Sequence, residues 1–221
     1  MKTIKNLLPI LLLFMLISAC KENANVSDIF EEEKPKNDLA GTKHFLEEDG
    51  VQILLPEDFK RYSNAEYNTL LDSLSKKKEF EIQRQKFDYV RGLNGNNYIY
   101  FQPEKNVTYM INSIPFAPIE KKDAQKLLSI IRQNHKKAQE KIKVEFTKIT
   151  AKHTEITNAQ IFKAIFKADL KKEKRSFYEN TYYISSNDKS VLINIMSMEE
   201  LNFDPYVETV SYTHLTLPTI A

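Results

Sequence analysis

Apolar positions between residues 50 and 209 follow two periods, one near 2 and one near 3.6, and switch between them at polar turns. Val51-Gln52-Ile53-Leu54-Leu55 reads as a strand, which Pro56 ends because proline brings no N–H to a ladder. Ser63-Asn64-Ala65-Glu66 is a capping box, and Tyr67, Leu70, Leu71 and Leu74 behind it fall on one helical face. Phe80 to Leu93 is a second helical stretch, ended at Asn94-Gly95-Asn96-Asn97 by a turn that tolerates positive φ. Tyr98 to Phe101 and Val107 to Ile114 are aromatic and β-branched, and the Pro103-Glu104-Lys105-Asn106 turn between them predicts an antiparallel hairpin. A long helix from about Lys121 to Lys141 carries Ala124, Leu127, Leu128, Ile131, His135, Ala138 and Ile142 on one stripe. Val144 to Ile149, Ala159 to Leu170, Ser176 to Ser185 and Ser190 to Ser197 then form a four-strand meander. In its second strand Phe162, Ala164, Phe166, Ala168 and Leu170 alternate with more polar residues and should face the core. Phe203 to Thr209 opens a closing helix.

The chain begins differently. Lys2 and Lys5 precede an apolar run from Leu7 to Ile17, which at eleven residues falls short of the ~20 that a bilayer span needs. The run ends in Leu16-Ile17-Ser18-Ala19-Cys20, which resembles the bacterial lipobox. The resemblance implies a signal peptide over residues 1–19, cleavage between Ala19 and Cys20, and acylation of the Cys20 thiol. The competing reading is an ordinary secretory signal with a chance cysteine. Several acyl chains, palmitate among them, make a membrane anchor effectively permanent where one is marginal. Residues 20–43 then read as the lipidated cysteine and a polar tether, with Glu31-Glu32-Glu33-Lys34-Pro35-Lys36 lacking any periodicity. Lys21-Glu22 resembles charged sorting signals, which implies the outer rather than the inner membrane of a bacterial cell envelope; a solvated linker has the same composition.

The other end has a separate explanation. Val210-Ser211-Tyr212-Thr213-His214-Leu215-Thr216-Leu217-Pro218-Thr219 back-translates as GTC TCT TAT ACA CAT CTG ACG CTG CCG ACG. That string resembles the adapter of a transposase-made sequencing library read through in frame. The resemblance implies that Val210–Ala221 is a non-native tail and that residues 44–209 are one domain cut short; a genuine apolar strand is the alternative. His214 then falls in the tail and carries no functional role.

Composition narrows the chemistry. Without Lys2 and Lys5 the chain balances 30 basic against 30 acidic side chains. Lys76-Lys77-Lys78 and Lys171-Lys172-Glu173-Lys174-Arg175 lie in expected turns without interleaved aromatics, so no nucleic-acid partner is indicated. Cys20 is the single cysteine, which excludes a disulfide or a multi-cysteine metal site within one chain. Four glycines and no Gly-x-Ser-x-Gly leave a nucleotide or hydrolase site without its usual hardware. His44, His135 and His153 are far apart; His44 has Glu47 and Glu48 at helical spacing and His135 has Gln139, but neither makes a metal motif, and His135 suits a packing role on its stripe. No catalytic residue, cofactor site or metal site is assigned. Asp72-Ser73-Leu74 matches a short bacterial O-glycosylation pattern, although Leu74 belongs to the apolar face of a helix. Phe177, Tyr178, Tyr182, Tyr183 and Tyr98 supply many aromatics to the sheet, either as a recognition surface or as ordinary cross-strand pairs.

The order of elements, with Ile53-Leu54-Leu55-Pro56, Ala164-Ile165-Phe166-Lys167 and Val191-Leu192-Ile193-Asn194-Ile195, resembles the PsbP-like fold. The resemblance covers about residues 50 to 209. It implies an α+β domain, an antiparallel sheet with a C-terminal four-strand meander and helices packed on it. It also implies a role in binding rather than catalysis. The expected function is a lipid-anchored envelope binding or accessory protein, attached to the membrane through its N-terminal acyl chains and engaging an envelope protein partner. A carrier or sensor of a small apolar ligand held between helix and sheet is the alternative, and an enzyme stands last.

Overall fold

Residues 39–74, 78–156, 159–186 and 189–212 are described by the computed structural model. The expected signal peptide, Ala19, Cys20, the tether before residue 39 and residues 213–221 lie outside the described residues. The chain runs β1 (Thr42–Leu46), β2 (Val51–Leu55), β3 (Lys60–Tyr62), α1 (Asn64–Leu74), α2 (Lys78–Arg91), β4 (Asn96–Gln102) and β5 (Val107–Ile114). It continues with α3 (Ala124–Lys141), β6 (Glu145–Ile156), β7 (Ala159–Leu170), β8 (Arg175–Ser186), β9 (Lys189–Ser197), α4 (Asp204–Val207) and β10 (Ser211–Tyr212). A seven-stranded sheet has the order β3-β4-β5-β9-β8-β7-β6, and a small one has the order β1-β2-β10. Every pairing is antiparallel.

Local chemistry accounts for the element ends. Ser63 Oγ accepts from the Glu66 N–H at 3.2 Å while the Ser63 N–H donates to Glu66 Oε2 at 2.8 Å, so α1 starts on the reciprocal cap. The β4–β5 hairpin turns through Asn106 in the left-handed region, φ 49°. Gly95, at φ 106°, lies so close to β5 that a Cβ there would sit 1.7 Å from the Ser113 carbonyl oxygen. Only glycine fits that approach.

The large sheet is covered on both sides. On β7, Phe162, Ala164, Phe166, Ala168 and Leu170 are buried and the residues between them are half-buried, so the alternation sets the inward face as expected. Register carries this face across to Phe177, Glu179, Thr181 and Tyr183 of β8 and to Leu192, Asn194 and Met196 of β9. Helices α1, α2 and α3 pack over it. The opposite face presents Tyr98, Tyr100, Tyr109, Ile111, Tyr182, Ile184, Val191, Ile193 and Ile195 to the small sheet, whose Leu46, Val51, Ile53 and Leu55 close the second core with Phe203 and Val207. The architecture is α+β, with helices, sheet and small sheet in successive layers.

Four details depart from expectation, the first being β3, which pairs with β4 where no strand was expected. Strand β1 begins at Thr42, in the stretch expected to be tether, because pairing with β2 satisfies its backbone while only Leu46 is fully buried. The first meander strand reaches Ile156 rather than Ile149, and its ladder with β7 skips Ile149, a bulge between Lys148 and Thr150. Helix α4 is a single turn, after which Thr209 Oγ1 accepts from the Leu54 N–H at 3.2 Å and Ser211–Tyr212 pair with β2. No described helix is long and apolar enough to cross a membrane.

Candidate functional site

Three polar side chains from separate elements meet on the helix-covered face of the sheet. Glu179 is on β8 at a position where alternation dictates an inward side chain, between Phe177 and Thr181. Lys86 is on α2, one turn from both Ile82 and Val90, so the face that buries those two residues draws its stem inward. His135 lies on α3 between Ile131 and Ala138, on the buried stripe. The Glu179 side chain is 3% exposed. One of its oxygens forms an ion pair with the Lys86 ammonium, and the other is 3.1 Å from His135 Nε2. An ionised carboxylate only accepts, so Nε2 carries the proton of that bond.

The surroundings lock this triad in place. The His135 ring stacks on Phe146 with centroids 3.8 Å apart and planes 2° from parallel, and meets Phe166 edge-on at 4.5 Å. Burial alone would raise the Glu179 pKa, but the Lys86 charge and the His135 hydrogen bond outweigh it and hold the carboxyl well below the usual carboxylate range. The pair stays ionised and mutually neutralised. Both carboxylate oxygens have partners, which is the condition under which a buried charge is tolerated.

Two recesses open beside the triad, between α2 and α3 above the sheet. The first, of ≈240 Å³, is walled mainly by apolar side chains, among them Leu93, Ile114, Leu127, Ile131, Phe162 and Leu192. The second, of ≈260 Å³, reaches Glu179, His135 and Phe146. Lys86, Tyr89 and Asn134 line both, so the two are adjoining parts of one groove. Tyr89 and Ile130 line it while remaining 38% and 45% exposed, and Phe116, next to the lining residue Pro115, is 46% exposed. Two of the five large hydrophobic side chains exposed among the described residues, Tyr89 and Ile130, thus line this opening. On the floor, Thr181 Oγ1 donates to Asn194 Oδ1 at 3.1 Å, while Asn194 Nδ2 is buried without a partner.

The residues singled out from sequence are mostly not brought together. His44 is on β1, 4.6 Å from the Tyr100 ring; burial, and then the Arg61 charge, lower its pKa. His153 is on β6 beside Phe162. Among the described residues no three His, Cys, Asp or Glu side chains converge where they could hold a metal ion. The aromatics divide between the two faces: Phe177 and Tyr183 lie under the helices, whereas Tyr98 and Tyr182 belong to the opposite core. Tyr98 donates to Asp49 at 2.6 Å and Tyr182 to Asp204 at 2.9 Å, so they make cross-layer contacts rather than one flat surface. Ser73 donates to the Leu70 carbonyl at 2.6 Å on α1. Sequence reasoning missed Lys86 and Glu179. A glutamate at an inward register of β8 is the signal that could have found them.

No family model matches the chain. No curated protein matches it. Among solved structures, the solution structure of cyanobacterial PsbP (CyanoP) from Synechocystis sp. PCC 6803 aligns with a TM-score of 0.51 at 9% identity, over 81% of this chain and 96% of that one. The Ran-binding protein Mog1p of Saccharomyces cerevisiae aligns with a TM-score of 0.42 at 8% identity, over 72% and 78% of the two chains. A Bacteroides thetaiotaomicron protein gives 0.44 at 9% identity, over 80% of this chain and 50% of its own. The likeness to the first extends over nearly all of that protein, and the fold is PsbP-like.

Proposed function

We propose that this chain is a non-catalytic binding protein of the bacterial cell envelope, held at a membrane by acylated Cys20, and that it carries or senses a small apolar ligand in the groove between α2 and α3. The observation that carries the reading is the pair of adjoining recesses, ≈240 and ≈260 Å³, with apolar walls and a mutually neutralised ion pair at their junction. Small-ligand sites are concave, mostly apolar and furnished with a few placed polar groups, typically with volumes of ~300–1,000 Å³. Lys86 and Glu179 occupy each other, so the reading assigns them to holding the groove's shape rather than to turning over a substrate.

Mass spectrometry of the full chain extracted from membranes tests this reading. An apolar small molecule should co-purify with it and be lost from the Ile130→Glu variant, which charges the mouth without touching the core. A chain that carries no such molecule in either form removes the proposal. The anchor has its own check: palmitate labelling should depend on Cys20 and disappear in Cys20→Ala.

A second reading, an accessory subunit that docks an envelope protein, has one observation in its favour. Tyr89 and Ile130 project apolar surface at the mouth, and Phe116, next in the chain to the lining residue Pro115, is exposed too. Crosslinking from position 116 to a protein rather than to a small molecule would select it. We also read Val210–Ala221 as adapter read-through. Backbone pairing of Ser211–Tyr212 with β2 is available to almost any residues, so it does not bear on their origin. Sequencing the gene without a transposase library decides the matter.

A further inference from the structure

Resting on the reading of the groove as a ligand site, a further step concerns what that ligand must carry. We infer that the ≈240 Å³ recess takes an uncharged molecule with an apolar body and a carbonyl group, and that Asn194 on its floor donates the hydrogen bond that orients the carbonyl. An ester, a ketone or a tertiary amide has this chemistry.

Three features of the recess require it. Its apolar walls select the body. Lys86 is the only ionisable cation or anion of the ordinary pH range among the lining residues, and its ammonium is already paired with Glu179. Lys137, Lys141 and Asp88 line only the adjoining recess, so a carboxylate or amine seated in this one would have no free counter-charge beside it, which disfavours it. Finally, Asn194 is 2% exposed and leaves Nδ2 unbonded while Oδ1 accepts from Thr181. Buried amide donors are nearly always satisfied, and the residue that carries this one lines the cavity. The other polar floor groups are already committed, Thr181 Oγ1 donating to Asn194 and the Tyr183 hydroxyl donating to the Ala117 carbonyl at 2.7 Å, while Asn94 and Asn134 belong to the helix side of the recess. A ligand acceptor over Asn194 completes the set.

The test uses the full chain carrying Cys20→Ala, free of acyl chains, with N-phenyl-naphthylamine as the fluorescent reporter of the recess. Methyl nonanoate, nonanoate and nonane compete for it, sharing one apolar body and differing in the end group. Methyl nonanoate should displace the reporter at roughly tenfold lower concentration than either of the others, the range that one hydrogen bond spans. In Asn194→Leu its advantage over nonane should vanish while reporter binding persists. In the parent chain the ester carbonyl stretch should shift to lower frequency on binding, a readout that does not depend on the variant folding. Nonanoate competing as well as the ester, or an unshifted stretch, overturns the carbonyl assignment and leaves the groove reading standing. Failure of the reporter to bind, or binding indifferent to Ile130→Glu, overturns the groove reading itself.

Discussion

Neighbouring residues of β9 point into two very different interiors. Ile193 and Ile195 are fully buried against the small sheet, in a core of aliphatic and tyrosine side chains closed by Leu46, Val51, Ile53 and Leu55. Asn194, between them, faces the helices and is almost as buried, yet its surroundings include Thr181, the buried pair of Lys86 and Glu179, and a recess. Burial is nearly equal on the two sides, but chemical content is not. The small-sheet side is organised for cohesion, where each fully buried Ile or Leu contributes roughly 1.5–3 kcal/mol. On the helix side, polar groups interrupt the apolar surface where α2 and α3 part, and an interior of that kind keeps space that a packed core would fill. One sheet thus separates a closely packed interior from one that keeps a recess.

The comparison can be broken most forcefully at Glu179. Glu179→Ala leaves the Lys86 ammonium buried without its partner and should destabilise the domain by about 3–5 kcal/mol, read from chemical denaturation. Because the folded-state pKa of Glu179 is depressed, its stabilising contribution is fully present above the ordinary value of 4.5 and is lost as pH falls below it. The difference in melting temperature between the parent chain and Glu179→Gln should therefore shrink steadily below that value. A constant difference would mean that the carboxylate is not ionised in the fold. Next comes Ile193→Ala, which should cost about 2–5 kcal/mol by opening a cavity on the small-sheet side while leaving ligand affinity of the folded protein unchanged. The smallest effect belongs to the double variant Thr181→Val with Asn194→Leu. It removes both members of a hydrogen bond and the unbonded donor, and should alter stability by less than ~1 kcal/mol while abolishing the preference for an ester. If this variant is as destabilised as Ile193→Ala, the two faces share one job and the contrast fails.

What could be read from the chain beforehand follows the same division. The capping box at Ser63, the alternation from Phe162 to Leu170 and the stripe from Ile131 to Ala138 are periodic over many residues, and local chemistry alone fixes them. Thr42–Leu46 and Lys60–Tyr62 are strands only because β2 and β4 offer backbone partners; their own patterns carry no clear period. The site was harder still. Lys86, His135 and Glu179 are dispersed along the chain and meet only after α2, α3 and β8 are assembled. His135 sits on its helical stripe where a packing residue was expected, and its stacking on Phe146 agrees with that role; only the fold supplies its second role as a donor to Glu179. The recess itself depends on where two helices diverge, and no spacing of residues encodes that.

Strand β6 forms the outer border of the seven-stranded sheet, twelve residues long, with a row of backbone groups turned away from β7. A border of that length is an invitation to polymerise, since another copy could add its own strand and pass the vacancy on. The ladder's jump past Ile149 kinks that border halfway along, and the ammonium groups of Lys148 and Lys152 stand on either side of the kink, both exposed. A second strand cannot stay in step along the whole length and must bring its own charges against theirs. The irregularity therefore works against strand addition along this border.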